Sequence, residues 1–214
     1  MPILLQGGKQ MGSMTIEIEN NLGKDVDASF VDGKICLNWG ETKRRLGDLN
    51  HGDVFKGKSE TEYIVCGHEH FVTYVVRREL LNETMEFGDT NNWGESKIRK
   101  YLNEDYVQVI EREFGNGNIV KFERDLISLD GYNDYGRCID KVSMMNILEY
   151  MKYHKYVGNC DSYHALITPN STLSGCGAGS VQYVRGDGRV DYCWCCSDFC
   201  VRPFFILKSS TLVS

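Results

Sequence analysis

A chain of 214 residues with 42% hydrophobic and 25% charged residues and only 3 prolines falls in the soluble globular class, away from disordered compositions. It is long enough for one domain with a proper core. A net charge of -6 leaves no basic stripe for a phosphate backbone or an anionic membrane, which argues against nucleic acid and membrane as partners.

Residues 1–13 read as a leader or cloning remnant, with Met11-Gly12-Ser13-Met14 ahead of the first strand-like run, Thr15-Ile16-Glu17-Ile18-Glu19, and a single domain is expected over 14–214. Met1-Pro2-Ile3-Leu4-Leu5 has neither the basic start nor the hydrophobic length of a Sec signal, and no apolar run approaches the roughly 18 residues of a membrane span. Short runs separated by glycine-rich turns predict strands at 28–31, 33–38, 53–55, 63–66 and 71–76. A helix is expected over 92–113, because Asn92 with Glu95 makes a capping box and Ile98, Tyr101, Leu102 and Val109 recur at helical spacing; Gly115-Asn116-Gly117 ends it. A second helix is expected over 142–156, capped by Ser143, with Ile147, Tyr150, Met151 and His154 on one face. Beyond Gly158 come an apolar Leu166-Ile167, a strand at 181–184, a tight Asp187-Gly188 turn with a return strand from Arg189, and a buried terminal strand over 201–207. The fold class read from this order is α+β, antiparallel strands punctuated by two helices.

The last segment departs from this regularity. Between Thr172 and Cys200 there is neither Lys nor Glu, although the two make up 28 of the 214 residues. Within it, Asp191-Tyr192-Cys193-Trp194-Cys195-Cys196-Ser197-Asp198-Phe199-Cys200 follows no period and sets aromatic, acidic, hydroxyl and thiol groups side by side. No core strand needs that mixture. Randomising only the adenines of an AAC codon yields Asn, Tyr, Asp, His, Ser, Cys, Gly, Phe and several others, but never Lys, Glu, Gln, Met or Trp. Every residue of 191–200 except Trp194 belongs to that set.

Nine cysteines without a signal peptide, an odd total, read as free thiols in a reducing compartment. Adjacent Cys195 and Cys196 suit a tetrahedral site poorly, and no pair of Cys-x-x-Cys knuckles occurs, so no metal and no cofactor is expected. His68-Glu69-His70 reads as a solvated strand, and Arg185-Gly186-Asp187 as the hairpin turn rather than an integrin-type string. Arg202 reads as a scaffold hydrogen-bonder. Gly-x-Ser-x-Gly, His-Glu-x-x-His and phosphate-loop motifs are all missing, so the chain is not expected to be an enzyme.

The elements Leu46-Gly47-Asp48-Leu49 with Gly52-Asp53, Asn92-Trp93-Gly94-Glu95-Ser96 with Ile98-Arg99 and Leu102-Asn103, Asp140-Lys141-Val142-Ser143, Thr168-Pro169 and Val201-Arg202-Pro203 resemble a C-type-lectin-fold family of gut bacteria and their phages that includes the variable proteins of diversity-generating retroelements. The resemblance runs from about Gly33 to the C-terminus; relatives carry Gly where Cys200 stands, which leaves position 200 open between scaffold and variable residue. It implies a C-type lectin (formylglycine-generating-enzyme-like) fold of twisted antiparallel sheets with two helices. It also implies a receptor-binding or adhesion role without chemistry, on a phage tail if phage-encoded and otherwise cytoplasmic or surface-displayed. The implied partner is a bacterial surface protein or glycan, with a homo-oligomer or attachment to a virion tail protein as the assembly. The rivals are a static structural or surface protein of the same fold and a formylglycine-generating-type oxidase, whose Asn-rich, Trp-Glu-Trp type signature is missing. The residues expected to contact ligand are Asp161, Ser162, Tyr163, His164, Asn170, Cys176, Gly177 and Ser180, together with Asp191, Tyr192, Cys193, Trp194, Cys195, Cys196, Ser197, Asp198, Phe199 and Cys200, with Trp194 a constant anchor. Tyr192, Trp194 and Phe199 would supply contact area with few rotatable bonds, and Asp191, Ser197 and Asp198 directional polar contacts.

Overall fold

The computed structural model describes residues 26–31, 33–39 and 43–214; the strand expected at 15–19 and the leader at 1–13 lie outside them. The chain divides into two compact units between Lys43 and Arg44, whereas the sequence reading placed its one boundary at 13/14. In the first unit β1 (Val26–Val31) and β2 (Lys34–Trp39) form an antiparallel hairpin, and among the described residues they pair only with each other.

The second unit carries fifteen further strands in chain order: β3 (Arg44–Arg45), β4 (Val54–Lys56), β5 (Glu62–Glu69), β6 (Val72–Arg77), β7 (Met85–Glu86), β8 (Ile119–Val120), β9 (Phe122–Asp125), β10 (Arg137–Asp140), β11 (Val142–Ser143), β12 (His164–Pro169), β13 (Ser180–Val184), β14 (Val190–Trp194), β15 (Asp198–Phe199), β16 (Phe204–Lys208) and β17 (Leu212–Val213). The largest sheet runs β11-β16-β6-β5-β4, with β8 also on β16; a second runs β12-β13-β14; every ladder between named strands is antiparallel. The fold is α+β, and among the described residues no helix is long and apolar enough to cross a membrane.

Alternation along the central strands sets the core. Tyr63, Val65, Val75, Phe205 and Leu207 face one way, into a cluster with Ile98, Leu102, Ile110 and Phe114. Their neighbours Ile64, Cys66, Val76 and Phe204 face the other way, onto Ile147, Tyr150, Tyr153 and Val157. The period of two in the strands thus builds two cores, one under each helix. β12 is buried along its whole length because Ala165 and Ile167 enter the first cluster and Leu166 the second.

The helices start later than the spacing predicts. Asn92 caps a 3-10 turn, Trp93–Glu95, by accepting from the Gly94 amide; Ser96 then caps α1 (Lys97–Tyr101), its hydroxyl accepting from the Arg99 amide. A π-helical segment, Leu102–Tyr106, joins α1 to α2 (Val107–Phe114). Its extra residue per turn shifts the buried stripe onto Ile110, so Val109 is only half-buried. The second helix, α3 (Ile147–Val157), is capped by Asn146 with Glu149 in a reciprocal capping box, not by Ser143. Val142 and Ser143 pair with β16 instead, because Glu149 is held at its helix start by a bidentate Arg124 guanidinium at 2.6 Å on both oxygens. Met151, expected in the core, is 62% exposed, and His154 is exposed with it; the buried stripe is Ile147, Tyr150, Tyr153 and Val157.

The motif residues prove to be fasteners. Trp93 Nε1 donates to Asp140 Oδ2 at 2.7 Å, and Arg99 Nε donates to the other oxygen at 2.7 Å, tying the start of α1 to the end of β10. Asn103 donates to the Val142 carbonyl and accepts from the Lys141 amide. Arg202, 4% exposed, donates to the Arg77, Arg78, Val157 and Gly158 carbonyls and so locks the entry to β16 against the ends of β6 and α3. Among the described residues it has no carboxylate partner, so the carbonyl dipoles alone offset its desolvation. Replacing Arg202 with Leu is expected to lower unfolding free energy by roughly 2–4 kcal/mol in urea titration, because four carbonyls lose their donor, the one on Val157 in a buried bond. Arg202→Lys should recover only part of that, since an ammonium lacks the planar fork that reaches two chain segments at once.

Candidate ligand-binding surface

The segment singled out by composition folds as a loop, a hairpin and a turn. The loop begins at Ser171, whose hydroxyl accepts from the Cys176 amide at 2.7 Å; the Thr172 carbonyl accepts from the amides of Gly175 and Gly177. A fully buried side chain, Asn91, holds both ends: its amide donates to the Ser171 carbonyl at 2.9 Å and the Ser180 carbonyl at 2.7 Å, while its oxygen accepts from Tyr135. This self-bonded loop leads into β13, and the hairpin to β14 turns at Gly188, whose φ of +86° and close approach to Asn159 leave no room for a side chain. The Tyr150 hydroxyl donates to the Gly188 carbonyl at 2.9 Å, so α3 pins the hairpin tip.

β14 alternates exposed and half-buried residues, and the two classes lie on opposite faces. On one face Tyr192 is 60% and Trp194 67% exposed, with Ser180 directly opposite Trp194 and Gln182 opposite Tyr192. Trp194 lies against Gly179, where an added Cβ would stand 3.0 Å from the indole. Gln182 is buried, its amide donating to Asn170 Oδ1 at 2.9 Å. Asp191 and Cys193 turn to the other face, where Cys193 packs on the core and Cys193 Sγ lies 3.4 Å from Ser197 Oγ. On that side Tyr163 packs edge-on to Tyr183 and Phe199, and its hydroxyl donates to the Asp198 carbonyl at 3.0 Å. The residues expected to form one surface are therefore shared between two faces of the sheet and the turn that follows. Cys176, Cys196, Asp198 and Asp161 are exposed, and Gly177 and Ser162 are half-buried.

Three of the expected contacts are scaffold. His164, Cys195 and Phe199 are 5%, 3% and 0% exposed, and the latter two belong to the core under α1 and α2, so their side chains do not reach a ligand. Cys200 is half-buried with its thiol 3.6 Å from the Ser162 hydroxyl, and its backbone bridges β12 at His164, which makes it a link between segments. Burial raises the thiol pKa of Cys195, with the neighbouring Cys196 adding to it, and burial raises that of Cys160; both therefore stay protonated near neutrality. Among the described residues no group of three or more His, Cys, Asp or Glu is placed to hold a metal ion. His68 is tied by its two ring nitrogens to Thr73 Oγ1 and the Leu49 carbonyl, each at 2.8 Å.

Sequence reasoning missed Leu173 on the loop, which is exposed, and Val190 on β14, which shares the face of Tyr192 and Trp194. The period of two through Val190, Tyr192 and Trp194 was the available signal, masked by the absence of polar alternation. Compared with protein-family models, curated proteins and solved structures, the chain finds no match.

His164 carries a pH dependence. Burial, with the Arg202 charge adding to it, pushes its pKa down to about 3, and its Nδ1 has no hydrogen-bond partner. The unfolded chain takes up a proton on this ring below about pH 6.5 while the folded chain does not, so its contribution to stability is intact above 6.5 and falls as pH drops toward 3. The loss is expected to approach about 1.4 kcal/mol per pH unit. Urea midpoints of the native chain should therefore fall more steeply between about pH 6.5 and pH 4 than those of His164→Leu, which lacks the titrating ring.

Proposed function

We propose that this chain is a ligand-binding protein of the C-type-lectin fold, diversified by a retroelement and used for receptor binding or adhesion, on a phage tail where it is phage-encoded. The observation that carries the proposal is the pairing of opposites in one segment. Tyr192 and Trp194 stand exposed on a stretch devoid of Lys and Glu, while the strand before it and the strand after it are almost wholly buried. A surface tolerates many side chains only when a separate core supplies stability, and here the loop is held by Asn91 and the final strand by Arg202, neither of which presents its side chain to ligand. The fasteners Trp93, Arg99, Asn103 and Arg202 fall in the motif residues that resemble the family, which supports the fold reading. The α+β order with antiparallel sheets and two helices is compatible with it.

Sequencing a few kilobases on either side of the gene tests the diversification directly. A reverse transcriptase with a near-copy of the 3′ end differing from codons 161–200 only at its adenines is the expected result; a gene lacking both elements would favour a static structural or surface protein. For the surface itself, Tyr192→Ala and Trp194→Ala are each expected to weaken ligand capture by about 2 kcal/mol in a surface-binding assay. Their unfolding free energies from urea titration should change by no more than about 0.5 kcal/mol, because most of each removed ring is solvent-facing.

A further inference from the structure

The ladder between β13 and β14 fixes which main-chain groups are used. The Cys195 amide donates to the Gly179 carbonyl and the Arg185 amide to the Arg189 carbonyl, so the hydrogen-bonded pairs of this antiparallel register are Val181 with Cys193 and Tyr183 with Asp191. The intervening residues of β14, Val190, Tyr192 and Trp194, aim their N–H and C=O groups away from β13. Among the described residues no other strand pairs with β14. The Tyr192 amide meets only the carboxylate of Asp191 beside it, and the Trp194 carbonyl accepts from Ser197 in the turn. The outward groups left without a partner among the described residues are thus both of Val190, the Tyr192 carbonyl and the Trp194 amide, on the same three residues whose side chains are exposed. Edge strands are ordinarily blunted by Lys, Pro, a bulge or an inward-pointing charge; β14, Val-Asp-Tyr-Cys-Trp, has only the last, in Asp191, and its register with β13 is unbroken.

We infer that β14 binds its partner by strand addition: the ligand is an extended polypeptide segment laid antiparallel along Val190, Tyr192 and Trp194. This rests on the ligand-binding reading above and narrows its partner to protein. Main-chain hydrogen bonds do not depend on side-chain identity, so they hold a partner in register while the side chains around them are exchanged. Affinity then has a part that diversification leaves intact, and specificity is read by the side chains at alternate positions. Charge does not select the segment: Arg185 and Arg189 at the hairpin end of β14 are ion-paired with Asp187 and Asp191, and at the other end Asp89 has the Lys97 ammonium within range. The side chains that read the partner are the exposed Tyr192 and Trp194, which call for aromatic or β-branched residues at alternate positions of the segment.

The test is selection of a display library of random twelve-residue peptides on the full chain, with a glycan array probed in parallel. Enriched peptides are expected to show aromatic or β-branched residues at a period of two. A synthetic copy of an enriched peptide, N-methylated one amide at a time, should lose binding more than tenfold at alternate positions only. Val190→Pro removes an outward amide that β13 does not use, and should weaken the same peptide more than tenfold; the N-methyl series reads the same contact without asking the variant to fold. Three outcomes would overturn strand addition: N-methylation without a period of two, glycan capture with no peptide enriched, or a concentration-dependent dimer abolished by Val190→Pro, which would make a second copy the occupant. Neither peptide nor glycan binding would count instead against the ligand-binding reading itself.

Discussion

A buried guanidinium without a carboxylate partner among the described residues is the constraint around which this fold is arranged. Arg202 cannot shed its charge, so burial is tolerable only if carbonyl oxygens converge on it in the plane of its donors. They come from the end of β6 and from the end of α3, elements separated in sequence by some seventy residues but brought to one point by this side chain. Once β16 enters the main sheet at that point, it pairs with β6, β8 and β11, and the two apolar clusters are defined on its two faces. His164 lies within reach of the same positive charge, which adds to the burial that keeps its ring neutral.

Rigidity behind the surface follows from the same economy. Asn91 uses all of its buried amide on the two ends of one loop and the Tyr135 hydroxyl, and Tyr150 spends its hydroxyl on the hairpin tip. None of these groups depends on the identity of residues 191–200. Side chains on the outer face of β14 therefore change without disturbing a buried hydrogen bond. Those on its inner face, Asp191 and Cys193, are more constrained because Cys193 packs on the core. A surface of this kind offers aromatic area and free main-chain groups on the same residues, an arrangement that side-chain contacts alone would not require.

Much of the architecture was legible in the chain. Alternation at 63–66 and 71–76, the terminal apolar run and the Asp187-Gly188 turn all correspond to observed elements, because a period of two and a glycine with positive φ are local properties. The helix starts were misread for a physical reason: Asn92 and Ser143 are competent caps, but the chain takes Ser96 and Asn146 once Asp140 anchors Trp93 and Arg124 anchors Glu149. Capping preference is a local energy of about 1 kcal/mol, and a buried charged hydrogen bond outweighs it.

The sequence by itself determined the α+β class, the two helices, the odd composition of the final segment and the candidate residues within it. It did not settle which of those residues share a face, because the period of two in Val190, Tyr192 and Trp194 is interleaved with apolar Cys193 and followed by Cys195-Cys196, so it does not say which face is buried. Only the tertiary structure decided that: pairing with β13 sends Tyr192 and Trp194 outward and Asp191 and Cys193 inward, while packing buries His164, Cys195 and Phe199. The free edge of β14 is likewise a fact of pairing, since whether a strand has one neighbour or two depends on segments far along the chain.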